Sequence, residues 1–225
     1  MNPELYLTAD GSHTLYIKEL DETYHSRNGA IEESRYVFID KGFNHWRSLY
    51  PEKESIHIFE VGFGSGLNAW LFSELAKSLS LSIHFSSIEK FPISPEIAAT
   101  LNYPEQLGFD ETGFHELHQA PWNQAVSIHS RFQLKKINAD FLSFDWNSTP
   151  TIDLVLMDAF GPDKQPEMWE AKLLENLFQA LNPGAVWVTY SSKGEVKRSL
   201  RNVGFNVERL QGPPRKKHML RASKP

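Results

Sequence analysis

The chain of 225 residues contains no cysteine. That absence excludes disulfides, thiolate nucleophiles and cysteine-ligated zinc together. It also removes any sign of an oxidising compartment. The first residues, Met1-Asn2-Pro3-Glu4, lack the basic flank and apolar run of a secretory signal. No stretch approaches the roughly 18–20 apolar residues that cross a bilayer. Internal repeats and low-complexity segments are missing too. These absences lead us to expect a cytoplasmic protein with no membrane or metal partner. His115 and His118 stand three apart, as ligands do, but no third ligand accompanies them. They are read as surface residues.

What is present is ordinary for a globular chain: 40% hydrophobic and 23% charged. A chain of this length buries a core without staples. Charge is unevenly placed. Residues 1–192 carry 13 Lys and Arg against 26 Asp and Glu; residues 193–225 carry 10 against 2. A basic end on an acidic body points to a local anionic partner, nucleic acid first among them; the plainer alternative is a solvated tail.

Asp10-Gly11 between two short runs rich in Leu, Tyr, Thr and Ile predicts a hairpin over Tyr6 to Lys18. With Tyr24-His25-Ser26 and the apolar run Tyr36 to Ile39 it forms an N-terminal extension, residues 1–54. From about Ser55 strands and helices alternate through residues 55–225. Strands are expected at Ile56–Val61, Leu81–Glu89, Phe132–Asn138, Ile152–Met157 and Ala185–Tyr190. Helices are expected at Leu67–Leu79, Gln119–Ser130, Glu167–Leu181 (stopped by Asn182-Pro183-Gly184) and Lys193–Val203. Phe205–Leu210 and His218–Ala222 can pair as a last antiparallel hairpin. This alternation predicts an α/β fold with a doubly wound, mostly parallel sheet, which binds ligands at the carboxyl ends of its strands.

The segment Glu60-Val61-Gly62-Phe63-Gly64-Ser65-Gly66 lies between the first of these strands and its helix. Gly62, Gly64 and Gly66 let the backbone approach a ligand, and the helix start offers free N–H groups. A dinucleotide fingerprint needs a third glycine where Leu67 stands, and no Gly-Lys-Ser/Thr follows. Glu89, at the end of the second strand, can accept both hydroxyls of a ribose. Asp140, after the third, can take an adenine amine, or serve merely as a turn residue.

These segments occur together in one family. EVGFGSG (Glu60 to Gly66) with Leu67-Asn68, EKFP (Glu89 to Pro92), DAFGP (Asp158 to Pro162) with PEMW (Pro166 to Trp169), and RKKHML (Arg215 to Leu220) resemble the methyltransferase domain of MnmC and its stand-alone, MnmD-like relatives. The resemblance covers about residues 10–222. Three positions depart from the family pattern: Ala159 stands for its Gly, Gly161 for its Ala, and Ala139 precedes Asp140 where Gly is usual. These are small-for-small exchanges that keep the carboxylates.

The resemblance implies a Rossmann-like class I methyltransferase sheet with S-adenosyl-L-methionine as cofactor, held by Glu60, Gly62, Gly64, Gly66, Glu89, Lys90, Asp140 and Phe141. It implies methylation of the primary amine of 5-aminomethyluridine, with or without 2-thio, at the tRNA wobble position. Asp158 is then the catalytic residue, orienting the amine rather than acting as a strong base. Phe160 and Pro162 would meet the base, with Tyr24 and His25 as a lid; Trp169 is read as core. Lys193, Arg215, Lys216 and Lys217 would meet phosphates near the anticodon loop. No fused oxidase domain is expected, so the aminomethyl group would arrive from elsewhere. Two other readings stay open: a small-molecule amine methyltransferase, and a non-catalytic RNA-binding protein on the same fold.

Overall fold

The computed structural model describes residues 3–225, less the side chain of Ser148. Five parallel strands form its centre: β4 (Ser55–Val61), β5 (Ser82–Glu89), β7 (Phe132–Asn138), β8 (Ile152–Met157) and β9 (Leu181–Thr189). Three antiparallel strands complete the sheet: β6 (Ala125–His129) beside β7, β11 (His218–Ser223) beside β9, and β10 (Asn206–Gln211) outermost. The order is β10-β11-β9-β8-β4-β5-β7-β6. Strand β8 runs Ile-Asp-Leu-Val-Leu-Met with all but Asp153 buried. Such a continuous apolar run fits a strand covered on both faces.

The winding reverses between β4 and β8. From β4 the chain moves outward through β5 and β7, then returns to lay β8 on the other side of β4. The carboxyl ends of β4 and β8 therefore border the crevice where such sheets take ligands. Gly62 follows β4 and Asp158 follows β8. This topology, rather than sequence proximity, brings the two motifs together.

The N-terminal hairpin is present as β1 (Glu4–Leu7) and β2 (His13–Ile17), joined by a short third strand, β3 (Glu22–Thr23), in a separate antiparallel sheet. Beyond it, residues 30–49 form one helical run. Its ends are α1 (Ala30–Ser34) and α2 (Asn44–Leu49), with wider π-type winding over Arg35–Phe43. The apolar run Tyr36 to Ile39 is therefore helical. Val37, Phe38, Phe43 and Trp46 are buried, and this face packs with Ile58, Leu154 and Val188 of the main sheet.

Three expected boundaries are corrected. No helix spans Gln119–Ser130; α6 (Glu111–Gln119) ends before Pro121, and residues 125–129 are the edge strand β6. Proline cannot continue a helix, and Val126 and Ile128 suit a strand. The helix expected over Glu167–Leu181 splits into a 3-10 turn, Pro166–Trp169, and α7 (Ala171–Gln179), because Glu170 is extended. Asn182-Pro183-Gly184 lies inside β9 rather than before it, where the pairing with β8 shifts register. Elsewhere α3 (Leu67–Ser78) and α8 (Gly194–Val203) stand as expected. No helix among the described residues is long and apolar enough to cross a membrane.

Candidate methyl-transfer site

The turn after β4 is built for close approach. Gly62 has φ +96°, and a Cβ there would sit 3.0 Å from the Asp158 carbonyl. Gly66 has φ +74°, and a Cβ there would come within 2.8 Å of the His118 ring. Larger residues at either place would push the loop off its support. His118 is buried, not on the surface as its sequence context suggested, and its Nε2 lies 3.1 Å from the Ser65 carbonyl. Burial and nearby Lys136 lower it to about 4, so the ring is neutral. Lys136 itself is 1% exposed; its ammonium donates to the His118 carbonyl and faces the rings of Trp122 and Phe63. Desolvation brings it to about 8. This cage under the glycine loop gave no sequence signal, since its members lie on four separate segments.

Two cavities share Tyr24 and His25 as a common wall, and Asp158 lines the narrower one. A narrow, mostly apolar cleft is lined by Gly62, Gly64, Ile88, Glu89, Phe141 and Asp158, among others. Glu89 accepts from the backbone N–H groups of Gly64 (3.1 Å) and Phe91 (2.8 Å). Burial raises this carboxyl, and those two bonds oppose the rise. Asp140 pairs with Lys90 at 2.7 Å and caps the turn Phe141–Ser143 by accepting from Leu142. The Lys90 bond lowers the Asp140 carboxyl. Lys90 and Phe141 also line this cleft. Gly66 and Glu60 stand back from it. The Glu60 side chain is 1% exposed and accepts from Ser87 Oγ at 2.5 Å, so it supports the cleft from behind instead of facing a ligand.

The second cavity is wider and more open. Tyr24, Pro162, Lys193, Lys216 and Lys217 line it; Phe160 lines the narrow cleft and Arg215 lines neither. Tyr24 borders both cavities and packs edge-on against Phe160 at 5.6 Å. His25 also touches both but is buried, with its backbone N–H on Thr14 Oγ1 and burial lowering its ring to about 4. It belongs to the packing of the N-terminal sheet. Trp169 is core, as expected, and its indole donates to the Phe160 carbonyl. The basic residues are less free than their sequence suggests. Lys193 pairs with Asp163 at 2.6 Å and Lys216 with Glu33 at 2.5 Å.

Asp158 follows β8 and lines the narrow cleft. Asn68 Nδ2, on the first turn of α3, donates to Asp158 Oδ2 at 2.8 Å. Burial raises Asp158 well above the carboxylate range; Glu60 and Glu33 add to this, while Asn68 and Lys216 oppose it. Burial also pushes Glu60 up to about 8, with Ser87 and Asn68 opposing. Two neighbouring acids of this kind share protons as a unit. Asn68, Glu33 and Tyr190 are therefore part of the site. Asn68 lay inside a recognised motif but carried no assigned chemistry. Glu33 and Tyr190 carried no signal, because only the fold brings α1 and the end of β9 to Asp158.

A stability prediction follows from Glu60. Unfolded, it titrates in the usual carboxylate range; folded, at about 8. Between those values the folded state holds the extra proton, so stability falls as pH rises across this window. The neutral Glu60→Gln chain avoids that loss. Its melting temperature relative to the parent should rise between about pH 5 and about pH 9. A pH-independent difference would contradict the buried, protonated Glu60.

A family model described as S-adenosyl-L-methionine-dependent methyltransferase matches residues 112–225, just over half of the chain. The crystal structure of MNMC2 from Aquifex aeolicus superposes on all of the chain and 72% of its own, with TM-score 0.76 and 32% identity. The chain belongs to the S-adenosyl-L-methionine-dependent methyltransferases. Similar proteins include the tRNA 5-methylaminomethyl-2-thiouridine biosynthesis bifunctional proteins MnmC of Methylobacillus flagellatus and Nitrosospira multiformis. They are 32% and 33% identical, over 91% and 94% of this chain. The methyltransferase spans about a third of their length, 33% and 35%.

The narrow cleft fits the family's cofactor. The backbone of Gly62 and Gly64 is open where side chains would intrude, Glu89 supplies an acceptor for a diol, and Ile88 and Phe141 supply apolar walls for a purine. Among the described residues no group of three or more His, Asp or Glu could hold a metal ion.

Proposed function

We propose that this methyltransferase places one methyl on the primary amine of a 5-aminomethyluridine, with or without 2-thio, at the wobble position of tRNA. The observation that carries the reading is Asp158 on the wall of the narrow cleft, with Tyr24 shared between that cleft and a wider cavity lined by lysines. The names of the MnmC relatives supply the substrate class.

When bound in the cleft, S-adenosyl-L-methionine supplies a methyl on a sulfonium centre. The chain's own residues must then present an amine lone pair in line with that methyl. Holding the reacting groups in such geometry contributes several kcal/mol. Asp158, fixed through Oδ2 by Asn68, accepts an N–H of the amine and so aims its lone pair. With the cofactor bound, transfer would form a C–N bond at the expense of the cofactor's C–S bond, and the surplus proton of the amine would leave to water. Tyr24 and Phe160 offer ring faces and edges at the junction, where a splayed base can rest. Residues Arg215 and Lys217, both exposed, remain available to phosphate oxygens.

Binding of tRNA should weaken with salt, each phosphate contact adding about 0.7–0.9 to the log–log slope. Methyl incorporation should require the RNA and not the free aminomethyl nucleoside. Equal transfer to the free nucleoside, with no salt-dependent RNA binding, would favour a small-molecule amine methyltransferase instead.

A further inference from the structure

Lys216 does not project from its hairpin as a surface phosphate contact would. Its ammonium lies 2.5 Å from Glu33 Oε1 and 4.4 Å from the centre of the Tyr190 ring. Glu33 is itself buried, and its other oxygen accepts the Ser26 N–H at 3.0 Å. Tyr190 donates its hydroxyl to the Ala159 carbonyl, beside Asp158. All three residues line the wide cavity. Three elements thus converge on this cation: α1 through Glu33, the end of β9 through Tyr190, and the β10–β11 hairpin that carries it.

We propose that Lys216 is a positioning cation of the acceptor cavity, there to silence the Glu33 carboxylate so that the acceptor amine can shed its proton. The inference rests on the preceding reading, that the acceptor is a primary amine.

Methyl transfer needs a neutral amine, whereas a free alkylamine is mostly charged at neutral pH. A nearby carboxylate holds an amine in its charged form, and a nearby cation releases the proton. Few of the cavity's anions are uncompensated. Asp163 is answered by Lys193, and Glu33 by Lys216. Asp158 is raised, and Lys216 opposes that rise. His25, on the side of the N-terminal sheet, is neutral. Lys164 is engaged by the Leu20 and Asp21 carbonyls. Glu22 and Arg27 on the outer wall carry opposite charges, and Lys217 and His218 flank Lys216 on its hairpin. Without Lys216, a buried lone carboxylate would face the amine beside Asp158.

The test is the pH dependence of kcat/KM for aminomethyluridine-bearing tRNA, from about pH 6 to about pH 10, for the parent chain, Lys216→Met, Lys216→Arg and Glu33→Gln. Lys216→Met should move the rising limb upward. A shift of one unit would appear as about a tenfold loss at neutral pH that is recovered in alkali. Lys216→Arg should keep the parental limb, and Glu33→Gln should move it downward. The salt slope for binding tRNA that lacks the aminomethyl group should be the same in Lys216→Met as in the parent. An unmoved limb together with a slope lower by about 0.7–0.9 would make Lys216 an ordinary phosphate contact and overturn the inference. If Lys216→Met does not fold, the sign of the Glu33→Gln shift decides: no shift, or an upward one, overturns it. A parent chain that binds the tRNA but transfers no methyl to the amine at any pH would instead defeat the amine reading itself.

Discussion

Asp158→Ala should abolish methyl gain while leaving S-adenosyl-L-methionine binding within a few-fold of the parent. Asp158 lines the narrow cleft, and Asn68 holds only one of its oxygens. The other is available to the amine. Loss of a positioned group of this kind costs roughly a hundredfold to ten-thousandfold in rate. Calorimetry with the cofactor and single-turnover transfer together read the split. Asp158→Asn keeps an acceptor oxygen and no titratable proton, so it should retain measurable transfer if Asp158 orients the amine. Equal collapse of Asn and Ala variants would make Asp158 the proton acceptor. Loss of cofactor binding in step with transfer would make it part of the cofactor cleft instead.

Glu89→Ala should have the opposite signature. Both Glu89 oxygens hold backbone N–H groups of the loop walls, Gly64 on one side and Phe91 on the other. Removing the carboxylate leaves those donors unpaired and takes away the diol acceptor. Hydrogen bonds to a charged group contribute about 1.5–3 kcal/mol each, so loss of one or two raises the cofactor Kd by roughly tenfold to more than ten-thousandfold. The rate at saturating cofactor should change far less. Isothermal titration of the variant checks the first part and kcat at high cofactor concentration the second. An unchanged Kd would remove Glu89 from the binding site.

The two variants test the separate roles that the sequence assigned to Glu89 and Asp158. Both stood out in the sequence because Glu89 ends an apolar strand and Asp158 follows one, and strand ends are where doubly wound sheets build sites. The glycine loop was legible for the same reason. Less visible was the reversal between β4 and β8 that makes one site of two motifs nearly a hundred residues apart. That reversal is a property of strand order, which local patterning does not carry.

Charge was the most misleading signal. Lys193 and Lys216 count toward a basic C-terminal region, yet each ammonium is paired with a carboxylate from the acidic body. A tally of charges along the chain cannot show such pairing, because Glu33 and Lys216 are brought together only by the packing of α1 against the last hairpin. His118 failed in the same way. With no third ligand beside it, it was read as a surface residue, but α6 turns Phe114, Leu117 and His118 inward under the glycine loop. A polar residue can be buried wherever a backbone carbonyl answers it, and the Ser65 carbonyl does so here. Asn68 shows the converse. It lay inside a recognised motif, and its place beside Asp158 became apparent only once its amide was found on that carboxyl.

The most direct measurement is nucleoside analysis of aminomethyluridine-bearing tRNA after incubation with this chain and cofactor labelled in its methyl group. The account predicts one labelled methyl per target nucleoside, located on the exocyclic amine nitrogen, and none in tRNA lacking the aminomethyl group. Label on a ring carbon, on a ribose oxygen, or at equal levels in both RNAs would contradict it.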